Sequence, residues 1–123
     1  MKADEVLKEE LVKNLKEWFE KVNEKMNYYI DRIEISETVE EIMHCKKYIL
    51  IDYLQNTPLG ASVCYFCIAK ELGKIKSCKD CFYGKLHGFC YEPFSDYQLI
   101  REKLASLIDI INEKYYKGEI YEK

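Results

Sequence analysis

Val6 to Ile33 reads VLKEELVKNLKEWFEKVNEKMNYYIDRI, and its spacing decides the fold class. Leu7, Leu11, Leu15, Trp18, Val22, Met26, Tyr29 and Ile33 recur every three or four residues, the repeat of one helix face. Val12, Phe19 and Ile30 widen that stripe, while Lys8, Glu9, Lys13, Lys16, Glu17, Glu20, Lys21 and Glu24 occupy the other sides. A long helix over 4–34 is expected, with Asn27 as the place for a bend. Thr38-x-x-Glu41 fits a capping box opening a second helix over 38–55. Its apolar face would be Val39, Ile42, Met43, Ile49, Leu50, Tyr53 and Leu54, although Tyr48-Ile49-Leu50-Ile51 alone also reads as a short strand. Asn56-Thr57-Pro58-Leu59-Gly60 stops it. Ser95-Asp96-Tyr97-Gln98 is a further capping box. Tyr97, Ile100, Leu104, Leu107, Ile108, Ile111 and Tyr115 then predict a third long helix over 95–117, ending near Gly118.

The expected class is therefore all-α: long amphipathic helices packed with a small metal-bound Cys-rich module. At 123 residues, 48% hydrophobic and 33% charged, with two prolines and five glycines, the chain is sized for one domain and is neither collagen-like nor wholly disordered. Within it, 1–60 reads as a helical hairpin, 61–92 as the Cys-rich module with a short helix near 62–73, and 93–118 as the C-terminal helix. The module has too few aliphatic residues to pack without help.

That help is written in its cysteines. Cys64-x-x-Cys67 and Cys78-x-x-Cys81 lie ten residues apart, and His87-Gly88-Phe89-Cys90 follows. Two intervening residues let one turn aim both sulfurs at a common point, and two such turns together form a tetrahedron suited to zinc, at about 2.3 Å per sulfur. The simplest ligand set is Cys64, Cys67, Cys78 and Cys81, with Cys90 or His87 as substitutes for one of them. An iron-sulfur cluster uses the same thiolates, and disulfides are the remaining alternative. Cys45, between His44 and Lys46 on the second helix, reads as a half-buried small side chain rather than a reactive thiol.

Cys64-Tyr65-Phe66-Cys67, Ser77-Cys78-Lys79-Asp80-Cys81, Gly88-Phe89-Cys90 and then Tyr91-Glu92-Pro93-Phe94 follow one another in an order that resembles small uncharacterised Cys-rich proteins of phages and archaeal viruses. The likeness covers about residues 62–105; Phe82 stands where that family often has proline after the second pair. It implies a mobile-element origin and a bound metal, and no catalytic activity.

Composition narrows the function classes. A net charge of -3 gives no global attraction for nucleic acid or an anionic membrane. The opening Met1-Lys2-Ala3-Asp4-Glu5 is charged, and no apolar run is long enough for a signal peptide or a spanning helix, so the expectation is a cytoplasmic protein without membrane contact. No Ser/His/Asp set, Gly-rich phosphate loop or HExxH occurs, and four sulfur ligands would close a metal that catalysis needs open. The expectation is a non-enzymatic binding or regulatory protein that contacts another protein, a host factor or its own copy, with eleven tyrosines offering contact area. The alternative is nucleic-acid binding. Lys70, Lys74, Lys76, Lys79 and Lys85 against Glu71 and Asp80 give residues 64–90 a charge of +3, interleaved with Tyr65, Phe66, Phe82 and Tyr83. Thiol redox chemistry ranks last, because no strand pattern precedes Cys64 as it would in a redox CxxC fold.

Overall fold

The computed structural model describes residues 2–77 and 80–115, so Cys78, Lys79 and the expected end of the last helix near Gly118 lie outside the described residues. Those residues form helices α1 (Glu5–Ile35), α2 (Val39–Gln55), α3 (Tyr65–Glu71), α4 (Phe82–His87) and α5 (Asp96–Lys114), with a 3-10 turn at Ala61–Val63 and no strand. The all-α expectation holds, including at Tyr48 to Ile51, which lies inside α2. α1 continues through Asn27 without interruption. α4 is an element the sequence did not announce. No described helix is long and apolar enough to cross a membrane.

The chain gathers into two compact units, the first from Met1–Phe19 and Pro58–Glu102, the second from Glu20–Thr57 and Lys103–Lys123. In the first, Asp4 opens α1. Its Oδ1 accepts the Val6 and Leu7 N–H groups at 2.9 and 3.3 Å, satisfying two of the amides a helix start leaves without partners. The same residue reaches α3, because its N–H donates to the Tyr65 hydroxyl at 2.8 Å and its Oδ2 lies 3.7 Å from Lys74 Nζ. That clasp presses Leu7, 3% exposed, onto Ile68 and Ala69, with Leu11, Tyr65 and Ile75 around them. α3 ends on Gly73 at φ 75, a left-handed turn that costs glycine little. The Gly73 N–H meets the Lys70 carbonyl at 3.1 Å and the Lys74 N–H the Ala69 carbonyl at 2.7 Å, the two bonds of a Schellman stop.

In the second unit Val22, Cys45 and Ile51 are buried. Thr38 Oγ1 accepts the Glu41 N–H at 3.2 Å, as expected of a cap, but the Glu41 carboxylate takes the Glu37 N–H at 3.1 Å rather than that of Thr38. The apolar face expected for α2 is covered only in part. Val39, Ile42 and Tyr53 are exposed, because the inward line of the helix runs through Cys45, Ile51 and Asp52. Asp52 is drawn in by Tyr29, whose hydroxyl donates to its Oδ2 while the Tyr29 ring stacks on Tyr48. The stripe read along α1 fares better: Leu7 and Val22 are buried and Leu11, Leu15, Trp18, Met26, Tyr29 and Ile33 half-buried, whereas Val12, Phe19 and Ile30 are exposed.

The Tyr29–Asp52 bond makes a measurable prediction. The hydrogen bond to Asp52, then burial, pushes the Tyr29 hydroxyl from 10.0 up to about 12. A group whose folded value is raised contributes stability that is complete below its unfolded value and fades as pH climbs through the folded one. Tyr29→Phe should therefore cost about 1 kcal/mol at neutral pH. It should also remove the part of the alkaline stability loss that falls between pH 10 and about 12, as read by urea denaturation at several pH values.

Candidate metal centre

Three chain segments of the first unit bring their thiols to one cavity of about 390 Å³. Cys64 stands immediately before α3 with extended backbone, φ -120 and ψ 120, and Cys67 lies in the opening turn of that helix. Cys81 holds the equivalent place before α4, at φ -70 and ψ 118. Cys90 arrives on the turn that follows α4. All four line the cavity, as do Phe66, Tyr83, Phe89 and Ile100. None of the described cysteines is in a disulfide.

The thiols feel one another. Burial pushes the Cys67 thiol up to about 12, and the neighbouring Cys64, which also hydrogen-bonds it, adds to that, followed by Cys90 and Cys81. Ionising several sulfurs together in this space needs a compensating cation. As they stand, no three His, Cys, Asp or Glu side chains among the described residues are gathered tightly enough to hold a metal ion. Zinc–sulfur bonds of about 2.3 Å would bring the sulfurs to roughly 3.8 Å from one another in a tetrahedron.

The Cys90 turn is firmly built. Gly88 adopts φ 84 and ψ 145, and a Cβ there would meet the Ser95 Cα and Cβ at 3.1 Å. Phe89 lies across Gly84, where a Cβ would come within 2.4 Å of the ring. The Phe89 N–H donates to the Glu92 carboxylate at 3.1 Å, and the Glu92 N–H returns to the Phe89 carbonyl at 2.8 Å. Ser95, 1% exposed, donates its hydroxyl to the Glu92 carbonyl at 2.9 Å and accepts the Gln98 N–H at 3.2 Å, so it caps α5 as expected. Gln98 does not close the reciprocal half of that box. Its Nε2 donates instead to the Cys90 carbonyl at 2.6 Å, tying the thiol-bearing turn to α5.

Of the residues singled out in the sequence, Cys64, Cys67, Cys81 and Cys90 come together, while Cys78 lies outside the described residues. His87 is turned elsewhere: its Nδ1 lies 2.9 Å from Asp96 Oδ2, its ring stacks on Tyr83, and it does not line the cavity. Cys45 is buried in α2, more deeply than the half-buried place expected of it, and the exposed His44 packs edge-on against Tyr48. Lys70, Lys74, Lys76 and Lys85 are exposed; Lys74 faces Asp4 and Lys70 borders the cavity. Sequence reasoning missed Gln98 and Arg101, which lines the cavity with its guanidinium 5.0 Å from the Tyr97 ring centre. Gln98 was visible only as a capping residue.

The chain matches no protein-family model, no curated protein and no solved structure.

Proposed function

We propose that this chain is a non-enzymatic binding protein whose Cys-rich module is closed by one zinc ion, held by thiolates drawn from Cys64, Cys67, Cys78, Cys81 and Cys90. The observation that carries the reading is the arrival of four thiols from three segments at a single cavity, none of them committed to a disulfide. Zinc suits an all-sulfur tetrahedron, and a shell filled by protein leaves no open position for substrate, which makes the ion structural. The described surface offers apolar contact area near the module, with Phe94 89% exposed and Leu86 and Tyr91 well exposed. Such area suits a protein partner, a host factor or a second copy, in keeping with a mobile-element origin.

Elemental analysis of reduced, purified protein tests the reading directly. One zinc per chain is the expected result. Stoichiometric iron with visible colour would move the site to an iron-sulfur cluster, and protein carrying no metal and taking up none on titration would sink the proposal. A second reading, nucleic-acid binding, draws on the exposed Lys76 and Lys85 and on the exposed rings of Phe82 and Tyr83. It predicts retention on single-stranded nucleic acid that weakens steeply as salt rises, whereas an apolar protein interface would barely respond.

A further inference from the structure

We infer that the cavity beside the cysteines binds a small amphipathic carboxylate, its chain or ring against the apolar walls and its head on Arg101 and Lys70. The inference goes beyond the zinc reading and does not rest on it.

The space is large enough for such a guest. About 390 Å³ is more than twice the roughly 150 Å³ of an engineered core cavity that takes up benzene, and it falls within the range of small-molecule sites. Every described lining residue lies between Pro58 and Arg101, so the whole cavity belongs to the first unit. Its walls are apolar. Leu59 and Val63 come from the segment before α3, Phe66 from α3, Phe89 from the turn after α4, and Tyr97 and Ile100 from α5. Water finds few hydrogen bonds on these surfaces, so replacing it with hydrocarbon is favourable.

The charged residues at the cavity all have one sign. Among the described residues that line it are Lys70 and Arg101, and no aspartate or glutamate. Both cations are exposed, which puts their heads where the cavity meets water. Arg101 is also held in place, with its guanidinium 5.0 Å from the centre of the Tyr97 ring, itself part of the wall. A guanidinium over a ring keeps its N–H fork for a planar carboxylate, and none of the ion pairs among the described residues engages it. A cationic guest would be repelled by the pair, and a neutral one would leave both charges unused. An apolar body ending in a carboxylate satisfies walls and opening together.

Octanoate is the probe, with 1-octanol and octyltrimethylammonium as controls of head charge. Each is titrated into reduced full-length protein of measured zinc content and followed by backbone amide NMR shifts. Octanoate should bind saturably, one per chain, shifting residues 58–70 and 81–101 while α2 around the buried Cys45 stays unchanged. 1-Octanol should bind at least about 10-fold more weakly, the loss expected for one charge-assisted hydrogen bond, and octyltrimethylammonium should not bind. Arg101→Gln should bring octanoate down to the affinity of 1-octanol and leave that of 1-octanol itself unaltered, which an unfolded variant could not do. Arg101→Lys should recover part of the loss. No saturable octanoate binding, shifts spread equally over both units, or equal affinities for octanoate and 1-octanol would overturn the assignment. The zinc reading fails separately: zinc-loaded protein that ignores octanoate removes this inference and leaves the metal, whereas protein that takes up no zinc yet binds octanoate does the reverse.

Discussion

If zinc closes the module as proposed, chelating it from reduced protein should lower the melting midpoint by about 10–20 °C and loosen amide protection in residues 61–72 and 81–98 first. Structural zinc contributes roughly 10–16 kcal/mol in isolated finger peptides, and a loss of several kcal/mol shifts a domain of this size by that much. The effect here should stay below the finger extreme because α3 keeps an apolar anchor, with Leu7, Ile68 and Ala69 buried together. The segments around Cys81 and Cys90 have less to fall back on: in α4 only Gly84 is buried, while Phe82, Tyr83 and Leu86 are exposed. Hydrogen exchange with and without chelator checks the pattern, and α2, buried through Cys45 and Ile51, serves as the internal control. Uniform exchange and an unchanged midpoint in protein shown to carry zinc would mean that the ion does not hold the module.

The second large effect is expected at Gly88. Alanine there should cost about 2–4 kcal/mol, from two penalties that act together. A side chain at φ 84 and ψ 145 enters a region populated almost solely by glycine, at about 1–3 kcal/mol. Its Cβ would also crowd the Ser95 Cα and Cβ at 3.1 Å, and Ser95 is fully enclosed with its hydroxyl and N–H both directed to the Glu92 carbonyl. Neither the backbone nor the capping serine can retreat without uncapping α5. Gly60→Ala is the matched control, since Gly60 has φ -75 and nothing within 4 Å of a new Cβ, and should shift stability by no more than about 0.5 kcal/mol. Denaturant midpoints of the two variants, measured side by side, decide the matter; equal values would show that the turn is not held as described.

The long helices were legible because burial on one side imposes a repeat that polar residues cannot imitate. Leu7 to Ile33 in α1 show it, and the Thr38 and Ser95 hydroxyls announced the starts of α2 and α5. Residues added to those stripes for being apolar, such as Val12, Phe19 and Tyr53, are exposed, since hydrophobicity alone does not say which side a neighbour covers. α4 escaped because six residues carry too little periodicity to register, and Gly84 within it and Gly88 just after it read as loop. In the candidate site the CxxC spacing pointed to Cys64, Cys67, Cys78 and Cys81, of which Cys78 lies outside the described residues. Raising Cys90 to their company needed the fold, because its placement depends on Gly88, Phe89 and Gln98 acting together across the chain. The Gln98 side chain illustrates the limit: a capping motif predicts a local bond, and the side chain spends itself on a longer one eight residues away.

Asp4 serves its own helix, the Tyr65 hydroxyl and Lys74 at once, and Tyr65 is 61 positions away along the chain. Proteolytic trimming past that aspartate would thus be felt beside the cysteine cluster, and a purification handle fused there should be set off by a spacer that leaves the carboxylate undisturbed.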